Sequence, residues 1–354
     1  MKILILTPSM SVAGTARDAV EWANRFVSEG NQVTVLSQSA EGAAARRLRP
    51  EVKLEGLGGG RAIVSAYALL QALRKHASHA ILANSGALAG LAVIFRRLGL
   101  IRNRIVFVDP FNPLDTFRRG CKTAMLCRHL LWRADAFVHL SDFAEHVHLR
   151  LGLAPEKSHL VPNIATRGNH QTSPRPVGDK LRLLAVGRLD KMKGFDRLIR
   201  GFSKIAARRT GTTLRIVGEG HDRPRLEAII HDLGLGSSVT LAGHSDDVAG
   251  ELCNADLFVL PSLYEGMPNT LVEALALGLR VVATPCQGTV RSLMRQIGAE
   301  AMIVREDDFS SELDRAIEAA LNLDDAAWAG IHARYRTIFD SESNFNKLKS
   351  LLIT

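Results

Sequence analysis

The chain has 354 residues, 46% of them hydrophobic, which is enough for two cores of ordinary size. No run of about 18 apolar residues occurs, so no spanning helix is expected. No charged segment leads into a short apolar core before the first strand, so no secretory leader is expected either. The net charge of +9 comes almost wholly from the first 170 residues. There Arg46, Arg47, Arg96, Arg97, Arg102, Arg104, Arg118, Arg119, Lys122, Arg128 and Arg133 stand among Leu, Ile, Phe and Trp. That interleaving suits an anionic membrane surface; a soluble, generally basic surface is the plainer reading. No helix-turn-helix or stacking motif supports nucleic acid. Cys121, Cys127, Cys253 and Cys286 fit no zinc spacing and read as reduced cytosolic thiols.

Residues 2–7 form an apolar run that reads as a buried strand, followed by a loop with Gly14 and an amphipathic helix over 15–29 stopped by Gly30. A second strand over 32–36 completes a βαβ opening. Its turn holds one glycine, so the dinucleotide fingerprint is missing. Gly56, Gly58, Gly59 and Gly60 precede Arg61 with no following Lys-Ser or Lys-Thr pair, and read as a flexible loop rather than a phosphate cradle. Strands are expected at 80–83, 105–108 and 136–140, and His159 to Asn163 closes this half. Residues 165–180, polar with two prolines, read as a linker. A second α/β unit then has strands at 181–186, 214–217, 239–241, 257–260, 280–283 and 301–304. The expected domains are 1–164, 181–338, and a C-terminal helix within 339–354 that packs back on the first domain.

Two stretches carry candidate chemistry. The first is the loop Gly187-Arg188-Leu189-Asp190-Lys191-Met192-Lys193-Gly194, leaving a strand. Gly187 frees the backbone there, and Gly194 lets the next helix begin close to its neighbours. Arg188 and Lys193 offer a forked and a point-charge grip on phosphate; a solvated basic turn is the alternative. The second is Tyr264-Glu265-Gly266-Met267-Pro268-Asn269-Thr270-Leu271-Val272-Glu273. Glu265 sits on a loop after the 257–260 strand. Glu273 lies about one turn into a helix capped by Asn269 or Thr270 and stopped by Gly278. Two acids beside a helix N-terminus suit a phosphorylated sugar; a solvated loop acid and an ordinary helix acid are the alternative. Both stretches lie beyond the carboxyl ends of strands, where open α/β sheets bind ligands.

The order "VGRLDKMKGFDRLI", "LRIVGEGHDRPRLE", "DLFVLPSLYEGMPNTLVEALALG", "VVATPCQGT" resembles the retaining glycosyltransferases of family four, also called group 1. The opening 36 residues, "ADAFVHLSDF" and "LVPNIAT" resemble that family more weakly. The resemblance implies the GT-B fold: α/β, with two Rossmann-like domains whose parallel sheets face a central cleft. It implies that Arg188 and Lys193 hold a donor diphosphate, that Glu265 lies near the donor sugar and that Glu273 binds the ribose. Gly187 belongs to the same donor loop. Gly266 and the backbone from Met267 through Pro268 and Asn269 to Thr270 grip phosphate and sugar. Gly14 approaches the diphosphate, and Glu219 and Gly220 border the base. Asp109 stands where members carry a histidine near the donor sugar; Asp109 and Asn163 are candidate sugar or acceptor contacts. Arg291 replaces a frequent acid. His139 and His146 are weaker candidates, since lone histidines are more often structural.

The implied activity is transfer of a sugar from a nucleotide-diphosphate sugar, UDP-linked in preference to GDP-linked, to an acceptor hydroxyl. The acceptor expected is a lipid-linked saccharide or a cell-surface polysaccharide precursor, at the inner face of a membrane. No cofactor or metal is expected, because no acidic pair stands beside a phosphate loop. A non-catalytic adaptor on the same scaffold is a second reading; a Rossmann oxidoreductase is a third, disfavoured by the missing glycine fingerprint.

Overall fold

The computed structural model describes residues 1–11, 14–58, 62–76, 79–110, 128–163, 180–305 and 307–353. The chain divides into two compact units, Met1–Ile164 with Asp340–Thr354, and Ala165–Phe339. In the first unit the described strands are β1 (Lys2–Ser9), β2 (Gln32–Ser39), β3 (Lys53–Gly56), β4 (Ala80–Ala83), β5 (Ile105–Asp109), β6 (Ala136–His139) and β7 (Ser158–Leu160). They lie side by side in the order β3-β2-β1-β4-β5-β6-β7. The second unit holds β8 (Arg182–Val186), β9 (Thr213–Val217), β10 (Val239–Gly243), β11 (Leu257–Leu260) and β12 (Arg280–Ala283), in the order β10-β9-β8-β11-β12. Every strand pairing is parallel.

Parallel sheets covered on both faces need strands without a polar side, and β1 and β12 show it in their apolar runs. Ile3, Leu4, Ile5 and Leu6 are all fully buried, as are Val281, Val282 and Ala283 of β12. The described helices are α1 (Gly14–Ser28), α2 (Ala62–Lys75), α3 (Gly86–Arg97), α4 (Asp142–Arg150), α5 (Phe195–Arg208), α6 (Arg223–Asp232), α7 (Val248–Cys253), α8 (Asn269–Ala276), α9 (Thr289–Gln296), α10 (Phe309–Leu321), α11 (Asp325–Ile338) and α12 (Ser341–Ile353). α1 shows the pattern that makes them: Ala16, Ala19, Val20, Ala23 and Phe26 recur at helical spacing and are buried. α12 belongs to the first unit. Its Phe345 ring lies 4.7 Å from that of Phe26, and Arg104 Nε donates to the Leu351 carbonyl at 2.7 Å.

Three expectations need correction or placing. Residues 301–304 do not form a strand: Glu300–Met302 coil into a 3₁₀ turn, and only an isolated Ala283–Ile303 bridge touches the sheet. β3 was not foreseen, because this edge strand is only four residues long and carries Lys53 and Glu55 around a single apolar residue, Leu54. The linker, apart from Lys180, lies outside the described residues. So do Gly59, Gly60 and Arg61 of the glycine loop, Cys121 and Cys127, and Arg118, Arg119 and Lys122. Among the described residues, no helix is long and apolar enough to cross a membrane.

In the second unit the chain order runs one way from β8 through β9 to β10 and the other way from β11 to β12. β8 and β11 are neighbours, so the connections run in opposite directions from this switch point, the place where open α/β sheets form their ligand-binding crevice. The loops leaving the carboxyl ends of β8 and β11 are residues 187–194 and 261–268.

Candidate functional site

The crevice is built from backbone first. Gly194 caps α5 with φ +66°, and a β-carbon there would lie 2.2 Å from the Pro261 carbonyl oxygen. Only glycine lets the β8 loop press against the β11 loop at this point. Arg197, one turn into α5, donates from Nε and Nη2 to the same Pro261 carbonyl at 2.9 and 2.6 Å, and from Nη2 to the Ser262 carbonyl at 3.1 Å. The Leu263 amide donates to the Met192 carbonyl at 2.8 Å. A third loop is tied in after β9. A β-carbon on Gly220 would lie 2.2 Å from the Leu189 carbonyl oxygen, and the Leu189 amide donates to the Glu219 carbonyl at 2.9 Å. Gly187 behaves otherwise than expected. Its φ is not left-handed and an added β-carbon would meet only ordinary contacts, the nearest at 3.4 Å on Phe195.

On this frame Lys193 and Glu265 meet. Lys193 Nζ lies 2.6 Å from Glu265 Oε1, and Ser262 Oγ donates to the same oxygen at 2.7 Å. Lys193 is 25% exposed and Glu265 13%, so the pair sits at the rim of the crevice, where water screens it only partly. Arg188 turns elsewhere. Its Nε donates to Asp190 Oδ2 at 2.7 Å, and its side chain is 71% exposed. The two cations therefore present separate heads, one partly buried and one exposed.

Glu273 lies on α8, which starts at Asn269 with Pro268 in the cap position. The capping expectation is corrected here. Asn269 and Thr270 are already inside the helix and no side chain caps it; the Pro268 carbonyl accepts from the Leu271 and Val272 amides at 3.1 and 3.2 Å. The first turn still leaves backbone donors without an intrahelical acceptor, beside Gly266 and Met267. Leu271, Val272, Ala274 and Leu275 fix the buried face, leaving Glu273 half-buried on another. α8 is clamped from behind, with Tyr335 Oη donating to the Val272 carbonyl and Trp328 Nε1 to the Gly278 carbonyl, both at 2.8 Å.

Glu219 does sit in the loop after β9, but its carboxylate is gripped by Arg223 through Nη2 at 2.7 Å and Nε at 3.0 Å. That hydrogen bonding draws its pKa below the usual carboxylate value.

Sequence reading missed the third wall. Thr284 Oγ1 donates to the Ser262 carbonyl at 2.5 Å, and Cys286 Sγ lies 3.3 Å from it. Burial first, and then the negative charge of Glu265, push the Cys286 thiol up to about 12, so it is neutral. Cys286 and Gln287, with φ of +44° and +56°, are the non-glycine residues with left-handed backbone among the described residues. The sequence signal was Gln287 followed by Gly288 after an apolar strand, a tight turn lacking its usual first glycine.

In the first unit Gly14 opens α1, Asn163 is buried and Asp109 ends β5. His139 is fully buried, and His146 is exposed on the outer face of α4. The neighbour that faces inward is His148, which sequence reading passed over.

Residues 180–322 match the family model described as "Glycosyl transferases group 1". An uncharacterised glycosyltransferase of Methanocaldococcus jannaschii is 27% identical over 196 residues, covering 52% of this chain and 48% of that protein. The N-acetylgalactosamine-N,N'-diacetylbacillosaminyl-diphospho-undecaprenol 4-alpha-N-acetylgalactosaminyltransferase of Campylobacter jejuni is 31% identical over 144 residues, 40% of this chain and 38% of that one. These matches thus span half or less of either relative. The crystal structure of Anabaena HepE with UDP and glucose superposes with a TM-score of 0.82 at 18% identity, covering 99% of both chains. The fold is accordingly GT-B: α/β, with two Rossmann-like units.

Proposed function

We propose that this chain, a glycosyl transferase of group 1 by the family match over residues 180–322, moves a sugar from a nucleoside-diphosphate sugar to an acceptor hydroxyl. One observation carries the reading: Lys193 and Glu265 are brought to 2.6 Å at the switch-point crevice by two loops that only Gly194 allows to touch. A cation there meets charge growing on a departing diphosphate; a carboxylate there accepts hydrogen bonds from sugar hydroxyls. The first-turn amides of α8 add dipolar support to the same phosphate, and Glu273 takes the ribose. Arg188, exposed and held by Asp190 among the described residues, swings to the diphosphate when the donor arrives.

UDP is the preferred base carrier over GDP. HepE has been crystallised with UDP and with UDP-glucose, which favours this choice. The acceptor proposed is a lipid-linked saccharide or polysaccharide precursor, in line with the undecaprenol-linked substrate named for the Campylobacter jejuni relative. Retention of anomeric configuration, transfer without a metal, and residence on an anionic membrane surface belong to the same proposal.

The test is a thermal-shift panel of UDP, GDP, ADP and their sugars, with NAD and NADP beside them, followed by transfer assays with the stabilising donor. Stabilisation by UDP and UDP-sugars, lost in Lys193→Ala, is the expected result. Stabilisation by nicotinamide dinucleotides alone would favour an oxidoreductase. Binding without transfer or donor hydrolysis would favour the adaptor reading.

A further inference from the structure

One helix of the first unit is apolar on the side that the sheet does not cover. In sheet order α2, from β3 to β4, and α3, from β4 to β5, step the same way. Right-handed crossovers therefore lay both on one face, where they pack together. From Gly86 to Phe95 α3 has no polar side chain, and Leu88, Ala89, Ala92 and Val93 are buried. Ala87, Leu91, Ile94 and Leu98 recur at helical spacing on another side, with Leu91 half-buried, Ile94 38% exposed and Leu98 67% exposed. A helix that is apolar all round is ordinarily covered all round. The fold holds Leu98 out. Gly99, with φ +71°, closes a Schellman turn in which its amide donates to the Arg96 carbonyl at 3.0 Å and the Leu100 amide donates to the Phe95 carbonyl at 2.9 Å. On the adjoining α2, Tyr67 is 65% exposed.

The charge beside this stripe has one sign. Between Glu55 and Asp109 the sequence holds seven Lys or Arg and no Asp or Glu. Several of those cations are already engaged: Lys75 pairs with Glu55, Arg96 pairs with Asp135, and Arg104 bonds the Leu351 carbonyl. Arg97 and Arg102 are exposed and have no acidic partner among the described residues. Arg74, also exposed, places Nε 3.5 Å from the Leu100 carbonyl, which brings it to the turn after Leu98. Three arginines therefore stand at the turn that carries Leu98. A second copy docking this face on itself would set those arginines against their own counterparts. Nucleic acid would take the charge and leave the Ile94 and Leu98 stripe unused. An anionic lipid surface satisfies both halves, since acyl chains accept the apolar stripe and headgroup phosphates accept the guanidiniums.

We propose that the outer face of α3 is the surface by which the chain docks on anionic lipid: Ile94 and Leu98 enter the boundary between headgroups and acyl chains, and Arg74, Arg97 and Arg102 bind lipid phosphates. Tyr67 lies at headgroup level, where an apolar ring with a polar tip is favoured. The docking face deepens the membrane residence proposed above and rests on it. It assigns that residence to one helix face rather than to basic charge at large, and leaves Arg96 and Arg104 to their bonds within the fold.

Sedimentation of the full chain with phosphatidylcholine vesicles, and with vesicles of phosphatidylcholine and phosphatidylglycerol, tests this. The chain should bind the mixed vesicles only, and release them at high salt. The double variant Ile94→Ser, Leu98→Ser should bind about tenfold more weakly, and each of Arg74→Gln, Arg97→Gln and Arg102→Gln about fivefold more weakly. Leu233→Ser, at an exposed leucine of the second unit, is the control and should bind as the native chain does. Leu98→Trp keeps an apolar side chain at the site, and its emission should shift to the blue on mixed vesicles alone. Native binding in the double variant, or no shift in Leu98→Trp, overturns this face while membrane residence stands. No binding of the native chain to mixed vesicles overturns both. A native dimer that Leu98→Ser converts to monomer, with vesicle binding unchanged, would make the face a contact between copies and overturn the lipid assignment. None of these readouts needs turnover, so a chain that docks without transferring sugar would count against the transferase reading alone.

Discussion

Replacing Gly194 with alanine tests whether the crevice depends on contact between the β8 and β11 loops. Two costs follow from the geometry. Holding an alanine at φ +66° costs about 1–2 kcal/mol. The new β-carbon would lie 2.2 Å from the Pro261 carbonyl oxygen, so one loop must retreat by about 1 Å, an overpacking cost of about 1–3 kcal/mol. The carbonyl that retreats is also the acceptor for Arg197. The sum, about 2–5 kcal/mol, corresponds to a fall of about 5–15 °C in the melting temperature of a unit this size. Gly187→Ala is the control. It lies seven residues earlier in the same loop, yet its β-carbon would find only ordinary contacts, and a shift below about 3 °C is expected. Calorimetry of both variants, with and without UDP, reads stability and donor binding together. Equal melting temperatures for the two variants would refute the claim that the loops are welded at Gly194.

Lys193→Ala should lower transfer about 10²–10³-fold, the usual loss when one charge-stabilising donor is removed, with a melting shift of only a few degrees; kinetics equal to native would remove Lys193 from the site. Tyr335→Phe strips the Val272 carbonyl of its buried partner behind α8, and should cost about 1–2 kcal/mol in urea denaturation with little effect on UDP affinity. Because the folded pKa values of His139 and His148 are depressed to about 3 and about 4, the unfolded chain binds more protons between about pH 4 and 6.5, and stability must fall as pH drops through that window. Melting temperatures from pH 7.5 to 4.5 should show this, and a flat profile would contradict the neutral pair. Cys286, buried and raised to about 12, should resist iodoacetamide at pH 8 until the chain is unfolded.

Much of the fold was written in apolar runs. β1, β8, β11 and β12 each carry an unbroken apolar run, residues 3–6, 183–186, 257–260 and 281–283, because both faces of a parallel sheet are covered, and such runs are readable. β3 was not, since an edge strand can afford Lys53 and Glu55, and residues 301–304 misled because a buried turn is as apolar as a strand. At the site, residue types and loop positions were legible, but partners were not. Nothing in the spacing said that Lys193 would reach Glu265, seventy-two residues away, while Arg188 settled on Asp190, two residues away. His146 and His148 differ by two helix positions. That is a turn of about 200°, and only the sheet packed against α4 shows which of them is inside.

The placement of α12 sets an order on synthesis. Phe345, fully buried on Phe26, and Leu351, whose carbonyl holds Arg104, are made only after residues 165–339. As the nascent polypeptide grows, the early sheet must therefore wait with Phe26 bare while a whole later unit is produced and free to fold, an interval in which chaperones have something to hold.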